Sequence, residues 1–138
     1  MTHRFDVNHT MKQPVSEFKS KSGLKRVLSA FFYSVDGFKS AWRNEHAFRQ
    51  ELTLFVPAGV IAMLLPISAF QKLALIAVLI FVLIVELINS AIEAVVDRVS
   101  LERHPLSKNA KDFGSAAVLL SCILAGATWA VVLFNRFW

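Results

Sequence analysis

Hydrophobic positions follow two different patterns along the chain. From Gly23 to Trp42, the residues Leu24, Val27, Leu28, Phe31, Val35, Phe38 and Trp42 recur at steps of three or four, which is the period of an amphipathic helix. Lys25, Arg26, Asp36 and Lys39 interrupt that stripe. A helix with aromatic residues on one face and cations on others suits a membrane surface; packing on soluble protein is the alternative. Farther on the pattern becomes continuous: Leu52 to Phe70, Leu73 to Val96 and Phe113 to Phe134 are hydrophobic nearly throughout. Each run is long enough to cross about 30 Å of hydrocarbon at roughly 1.5 Å per residue. The predicted elements are a surface helix over 23–43 and spans over about 48–70, 73–97 and 113–135. Pro57 and Pro66 are expected to kink or bound the first span, with Gln71 and Lys72 as a tight turn into the second. The first two spans then form an antiparallel hairpin.

The second span changes character halfway. Leu73 to Val85 is apolar, and then Glu86, Asn89, Ser90, Glu93 and Asp97 follow at offsets of 0, 3, 4, 7 and 11, on one helix face. Polar atoms in lipid are costly and face a bundle interior or a site. Asn89 and Ser90 alone fit hydrogen-bonded helix pairing equally well; two added carboxylates favour a functional cleft.

Carboxylates are hard oxygen donors, and Mg²⁺ is typically held by one or two of them together with substrate phosphates. Glu93 lies about 10 Å along the helix from Glu86. That spacing suggests metal binding at Glu93, near water, and a general base at the deeper Glu86. Glu45, just ahead of the first span, offers a further ligand, although Glu45 and Arg49 at i, i+4 also read as an ordinary surface pair. His46 has no partner at ligand spacing and reads as interfacial. Lys111 is placed just ahead of the third span, where a cation beside unsatisfied backbone N–H groups suits phosphate; an anchor at the membrane edge is the equal alternative. Gly114, Ser115, Ala116 and Ala117 permit close helix packing. The chain has neither a Gly-x-x-x-x-Gly-Lys-Ser/Thr loop nor the soluble protein-kinase motifs.

Composition agrees with lipid as solvent. The 138 residues are 55% hydrophobic and 18% charged, with a mean hydropathy of +0.51, too apolar for a soluble domain of this size. Residues 1–22, with Lys12, Lys19 and Lys21, read as a polar tail with no signal-peptide core, and 23–138 as one helical membrane domain. The net charge of +5 is divided among segments by the hydrophobic runs, which points to anionic membrane lipids and away from nucleic acid. Nine Lys and Arg precede Leu52, one is Lys72, four lie from Arg98 to Lys111 and one is Arg136. This alternation puts the amino terminus and the 97–112 loop in the cytoplasm, with the carboxy terminus outside. Cys122 is the only cysteine and reads as a packing residue.

The run Glu86-Leu-Ile-Asn89-Ser90-Ala91-Ile-Glu93-Ala94-Val-Val-Asp97-Arg98 resembles the hallmark of the bacterial integral-membrane diacylglycerol kinase family. It is joined in order by Asn44-Glu45 with Phe48-Arg49-Gln50-Glu51, and by Lys111-Asp112-Phe113-Gly114-Ser115-Ala116-Ala117. The resemblance covers roughly Gly23 to Trp138. It implies an all-α homotrimer of three-span subunits with an amino-terminal surface helix in the bacterial inner membrane. ATP would be the phosphoryl donor, with Mg²⁺, and diacylglycerol would be converted to phosphatidic acid.

Carried over by motif, Glu86 would be the catalytic base, Glu45 and Glu93 the ligands of the metal on ATP, and Asn89 a support of that face. Arg26, Tyr33, Glu45, Glu93, Glu102, His104, Lys111 and Asp112 match nucleotide-contacting positions. Lipid contacts would involve Arg26, Ala30, Phe31, Phe32, Tyr33, Ser34, Val35, Lys39, Ser40, Ala41, Trp42, Ala47, Phe48, Arg49, Gln50, Glu51, Glu86 and Ser115. Arg103 departs from the aromatic residue of the family pattern. An undecaprenol kinase of the same family is the nearest rival, and a proton-coupled transporter or a noncatalytic adaptor the rivals of other classes; the last two leave the combined motifs unexplained.

Overall fold

The computed structural model describes residues 23–100 and 102–138; the polar tail expected over 1–22 lies outside the described residues. The described residues form four α-helices and no strand. The chain divides into two units, 1–37 and 38–138, taken here in turn.

In the first unit, Gly23 takes a φ of 63°, a left-handed conformation that only glycine adopts freely, and helix α1 (Leu24–Asn44) starts beyond it. Leu24, Val27, Leu28 and Phe31 are exposed along α1, as are Lys25 and Arg26 between them. Ser34 Oγ donates to the Ala30 carbonyl at 2.9 Å, and Phe31 and Phe32 stack edge to face with centroids 5.9 Å apart.

The second unit holds the end of α1 and helices α2 (His46–Leu64), α3 (Ala69–Val99) and α4 (Pro105–Phe137). All three are long and apolar enough to cross a membrane. Helix α3 packs against both α2 and α4. At one end of the bundle Ala62, Leu75 and Val132 form a buried cluster with Leu65, Ile67, Ile76 and Trp129 around it. Trp129 Nε1 donates to the Leu75 carbonyl at 3.3 Å. Many large apolar side chains elsewhere are exposed, among them Leu54, Val60, Ile84, Leu120 and Ile123. Such surfaces are stable against acyl chains and not against water.

The helix ends correct three sequence expectations. The first span stops at Leu64, short of residue 70, because Pro66 cannot extend a helix and Ser68 starts a new one. Gln71 and Lys72 lie inside α3 and are not a turn; the chain turns over 65–68. There Ser68 and Gln71 form a reciprocal capping box, with Gln71 N–H donating to Ser68 Oγ at 3.2 Å and Ser68 N–H to Gln71 Oε1 at 2.9 Å. Lys72 Nζ closes the corner on the Met63 carbonyl at 2.6 Å. Finally, α4 begins at Pro105, with His104 Nδ1 accepting from Leu106 N–H at 3.2 Å, so Lys111 stands inside the helix and not ahead of it. Its own backbone N–H is thereby placed within a helix, and any role with phosphate must come from its ammonium group. Pro57 is accommodated inside α2.

Candidate active site

The inward face of α3 runs through Leu75, Leu79 and Val82 and then reaches Glu86, which is only 4% exposed. One turn farther, Asn89 Nδ2 donates to Glu93 Oε1 at 3.2 Å. Its amide oxygen is buried without a hydrogen-bond partner and sits against Gly114 of α4, so close that a Cβ there would collide with it. A Cβ at 114 would thus force the Asn89 side chain to shift, and that same amide donates to the Glu93 carboxylate.

Glu45 stands in the break between α1 and α2 and makes no side-chain capping bond. Arg49 shapes that corner by donating to the carbonyls of Trp42 and Arg43 at 2.9 and 3.0 Å and meeting His46 Nδ1 at 2.7 Å. The guanidinium is therefore turned to backbone carbonyls, and not to Glu45 as a simple i, i+4 pair requires. The charges of Glu45, Glu51 and Glu93 all reach Glu86. The α1–α2 break, α2 and α3 thus bring together, at one end of the bundle, carboxylates far apart in sequence. Glu51 Oε2 is buried without a hydrogen-bond partner.

Among the described residues, no three His, Cys, Asp or Glu side chains gather into a metal cluster. A pair of carboxylates with a nucleotide's phosphates completing the sphere is the usual arrangement for Mg²⁺, and the donor set at Glu45 and Glu93 fits that and not an all-protein cage.

Beyond Glu93, the end of α3 and the start of α4 enclose a cavity of about 610 Å³ lined by Asp97, Glu102, Arg103, His104, Lys108 and Lys111 among others. Ser100, which also lines it, accepts at Oγ from Glu102 N–H at 3.0 Å. Lys111 Nζ is 2.6 Å from Asp97 Oδ1, and Lys108 pairs with Asp112. Glu102, His104 and Lys111, expected at the nucleotide, line this one cavity. Arg103, Lys108 and Asp97 join them; sequence reasoning gave Lys108 no role, placed Asp97 only on the polar face of α3, and noted Arg103 only as a departure from the family pattern.

A second, more open concavity of about 570 Å³ is walled by Phe38, Trp42, Phe48, Leu52 and Leu83, with Lys39 and Arg43 also lining it. The rings of Phe38 and Phe48 lie 6.4 Å apart. It gathers Lys39, Trp42 and Phe48 from the expected lipid set and adds Arg43, Leu52 and Leu83, which only the fold reveals. Ala41 is buried beside it in sequence, and Ser40 Oγ accepts from Asn44 Nδ2 at 3.2 Å. Ala47, Gln50 and Ser115 are exposed. Arg26 and Ala30 to Val35 belong to the first unit.

Comparison with known proteins fits these features. The family model described as prokaryotic diacylglycerol kinase matches residues 32–133. A diacylglycerol kinase of Pseudomonas aeruginosa is 55% identical over 120 residues, covering 87% of this chain and 98% of the relative. That of Escherichia coli K12 is 48% identical over 116 residues, covering 84% and 95%. One from Haemophilus influenzae is 39% identical over 113 residues, covering 82% and 96%. Kinases take their phosphoryl group from a nucleotide, and the bundle supplies both an acidic cleft and a cation-bearing cavity at one end. The chain belongs to the prokaryotic diacylglycerol kinase family.

Proposed function

We propose that the protein phosphorylates diacylglycerol to phosphatidic acid with ATP at the cytoplasmic face of the bacterial inner membrane. The observation that carries this reading is the position of Glu86. It is buried where the inward face of α3 turns from apolar to polar, with Glu45 and Glu93 in electrostatic reach. A greasy alcohol arriving from the bilayer and a polar nucleotide arriving from water meet at such a boundary.

Glu86 accepts the proton of the lipid hydroxyl as its oxygen attacks the terminal phosphorus of ATP, and the bond to the bridging oxygen breaks so that ADP leaves. Glu45 and Glu93 would hold Mg²⁺ with the nucleotide, and the ion would supply neutralisation of the charge that develops on the phosphates. Asn89, seated on Gly114, fixes the direction in which Glu93 presents its oxygen. Lys111 reaches the phosphates from the cavity between α3 and α4, and Glu102, His104 and Asp112 surround the rest of the nucleotide. Phe38, Trp42, Phe48 and Leu52 receive the acyl chains, with Lys39 and Arg43 toward anionic headgroups. The distribution of Lys and Arg supports a cytoplasmic site, and the subunits assemble as the homotrimer that the family resemblance implies.

The test is phosphotransfer by purified protein in mixed micelles with labelled ATP, Mg²⁺ and a panel of diacylglycerol, undecaprenol and short alcohols. Labelled phosphatidic acid as the dominant product supports the proposal. Preference for undecaprenol moves the assignment to the polyprenol branch of the chemistry, and ATP-independent lipid turnover or none at all discards it.

A further inference from the structure

Asp97 is the carboxylate of the polar stripe on α3 to which the proposed mechanism gives no task. It lies at the far end of that stripe, near the close of α3, and its Oδ1 is 2.6 Å from Lys111 Nζ. Both residues line the cavity between α3 and α4, and the charge of Glu93 also reaches Lys111. The two side chains are 50% and 37% exposed, and an ion pair so accessible to water adds little to fold stability. Its placement is therefore better explained by what it does to the lysine.

A lysine ammonium sits on four flexible carbons and offers three donors. Without a fixed partner it samples many positions. A carboxylate that accepts one donor restricts it, and two donors remain for phosphate oxygens. We propose that Asp97 is a positioning residue, which holds the Lys111 ammonium toward the cavity so that it meets the nucleotide phosphates already in place. Its neighbours constrain how it does so. Lys108 is engaged by Asp112, and Asp97 is the carboxylate in direct contact with Lys111. Arg103, which also lines the cavity, lies in the loop between the helices.

This inference rests on the reading of the cavity as a nucleotide site, and the experiment separates the two. KM for Mg-ATP, KM for diacylglycerol and Mg²⁺ dependence are measured for Asp97→Asn, Asp97→Glu, Lys111→Met and the double variant Asp97→Asn/Lys111→Met. The expected result for Asp97→Asn is a rise of about 10-fold in KM for ATP, with the lipid KM and the Mg²⁺ dependence unchanged. Asp97→Glu recovers most of that loss, and Asp97→Asn adds nothing in the Lys111→Met background. An ATP KM that stays the same or falls in Asp97→Asn, while Lys111→Met raises it, overturns the positioning role and leaves the nucleotide site standing. A shifted Mg²⁺ dependence makes Asp97 a metal ligand and likewise overturns it. If Lys111→Met leaves ATP binding untouched, the nucleotide reading falls and the inference with it. Should Asp97→Asn fail to fold, the exchange of Asp97→Lys with Lys111→Asp decides: a restored fold with ATP KM still raised supports positioning, and a restored ATP KM overturns it.

Discussion

The two ends of the three-helix bundle are built on the same inward stripe of α3, yet they are made of different matter. At one end Leu75 is fully buried against Ala62 and Val132, and Trp129 ties α4 to the Leu75 carbonyl. Toward the other, the same stripe presents Glu86, Asn89 and Glu93, and Gly114 replaces bulk with closeness. In lipid, apolar packing is driven by fit and not by escape from water, so the first end needs little beyond well-shaped side chains. Polar groups in the same medium are expensive, and the proposed function is what gives several of them on one face a use. The contrast predicts that stability and activity are separable along a single helix.

Glu86→Gln should break the comparison most severely. Removing a general base lowers turnover by about 10²- to 10⁴-fold, while the shape of the side chain is kept and the helix bundle stays folded. Steady-state phosphotransfer beside thermal unfolding in detergent checks both halves. Near-normal turnover would remove Glu86 from the reaction and leave the polar end without a base.

Gly114→Ala tests the seat of Asn89. The added methyl meets the amide oxygen, and the side chain escapes only by rotating away and releasing Glu93. Turnover should fall by about 10- to 100-fold, with the metal requirement weakened. In an Asn89→Ala background the same change should cost almost nothing, because the group that collides is gone; such non-additivity is expected of residues in direct contact. Additive losses would mean that Gly114 acts through overall helix separation.

The three spans were legible because a continuous apolar run has few other solutions in lipid. Their ends were less so. Leu64, Pro66, Ile67, Ala69 and Phe70 read as one hydrophobic stretch, although Pro66 followed by Ser68 and Gln71 carried the signal of a break and a capping box. The start of α4 was hidden for the opposite reason: Pro105 to Asp112 is largely polar, so hydrophobicity reports only where the helix enters the membrane. Pro105 at the first helical position marked the true start. The face holding Glu86, Asn89, Glu93 and Asp97 followed from helical spacing alone. Which groups join it from elsewhere did not, since Glu51 beside Glu86 and Gly114 under Asn89 depend on how α2 and α4 register against α3.

The apolar end should respond in the other currency. Leu75→Ala removes a side chain with no exposed surface and leaves a cavity beside Ala62 and Val132. In water such a change loses both transfer energy and packing; in a bilayer the unfolded helices remain in hydrocarbon, so chiefly packing is lost. The expected destabilisation is about 1–2 kcal/mol, read from unfolding in mixed micelles, with kcat unchanged where the protein is folded. A fall in kcat with the bundle intact would show that the two ends communicate.

Trp129→Phe should have the smallest effect. It keeps most of the aromatic bulk against the buried cluster and deletes only the indole N–H that donates to the Leu75 carbonyl at 3.3 Å. The abandoned carbonyl is an α3 backbone acceptor in the middle of a helix, where it still accepts the ordinary i to i+4 bond. It is thus not left unsatisfied, and the loss reduces to the net value of one long hydrogen bond, about 0.5–1 kcal/mol. Unfolding measured beside Leu75→Ala should place Trp129→Phe below it. A larger loss than Leu75→Ala would mean that the inter-helix hydrogen bond, and not side-chain fit, sets the packing of α3 on α4 at this end.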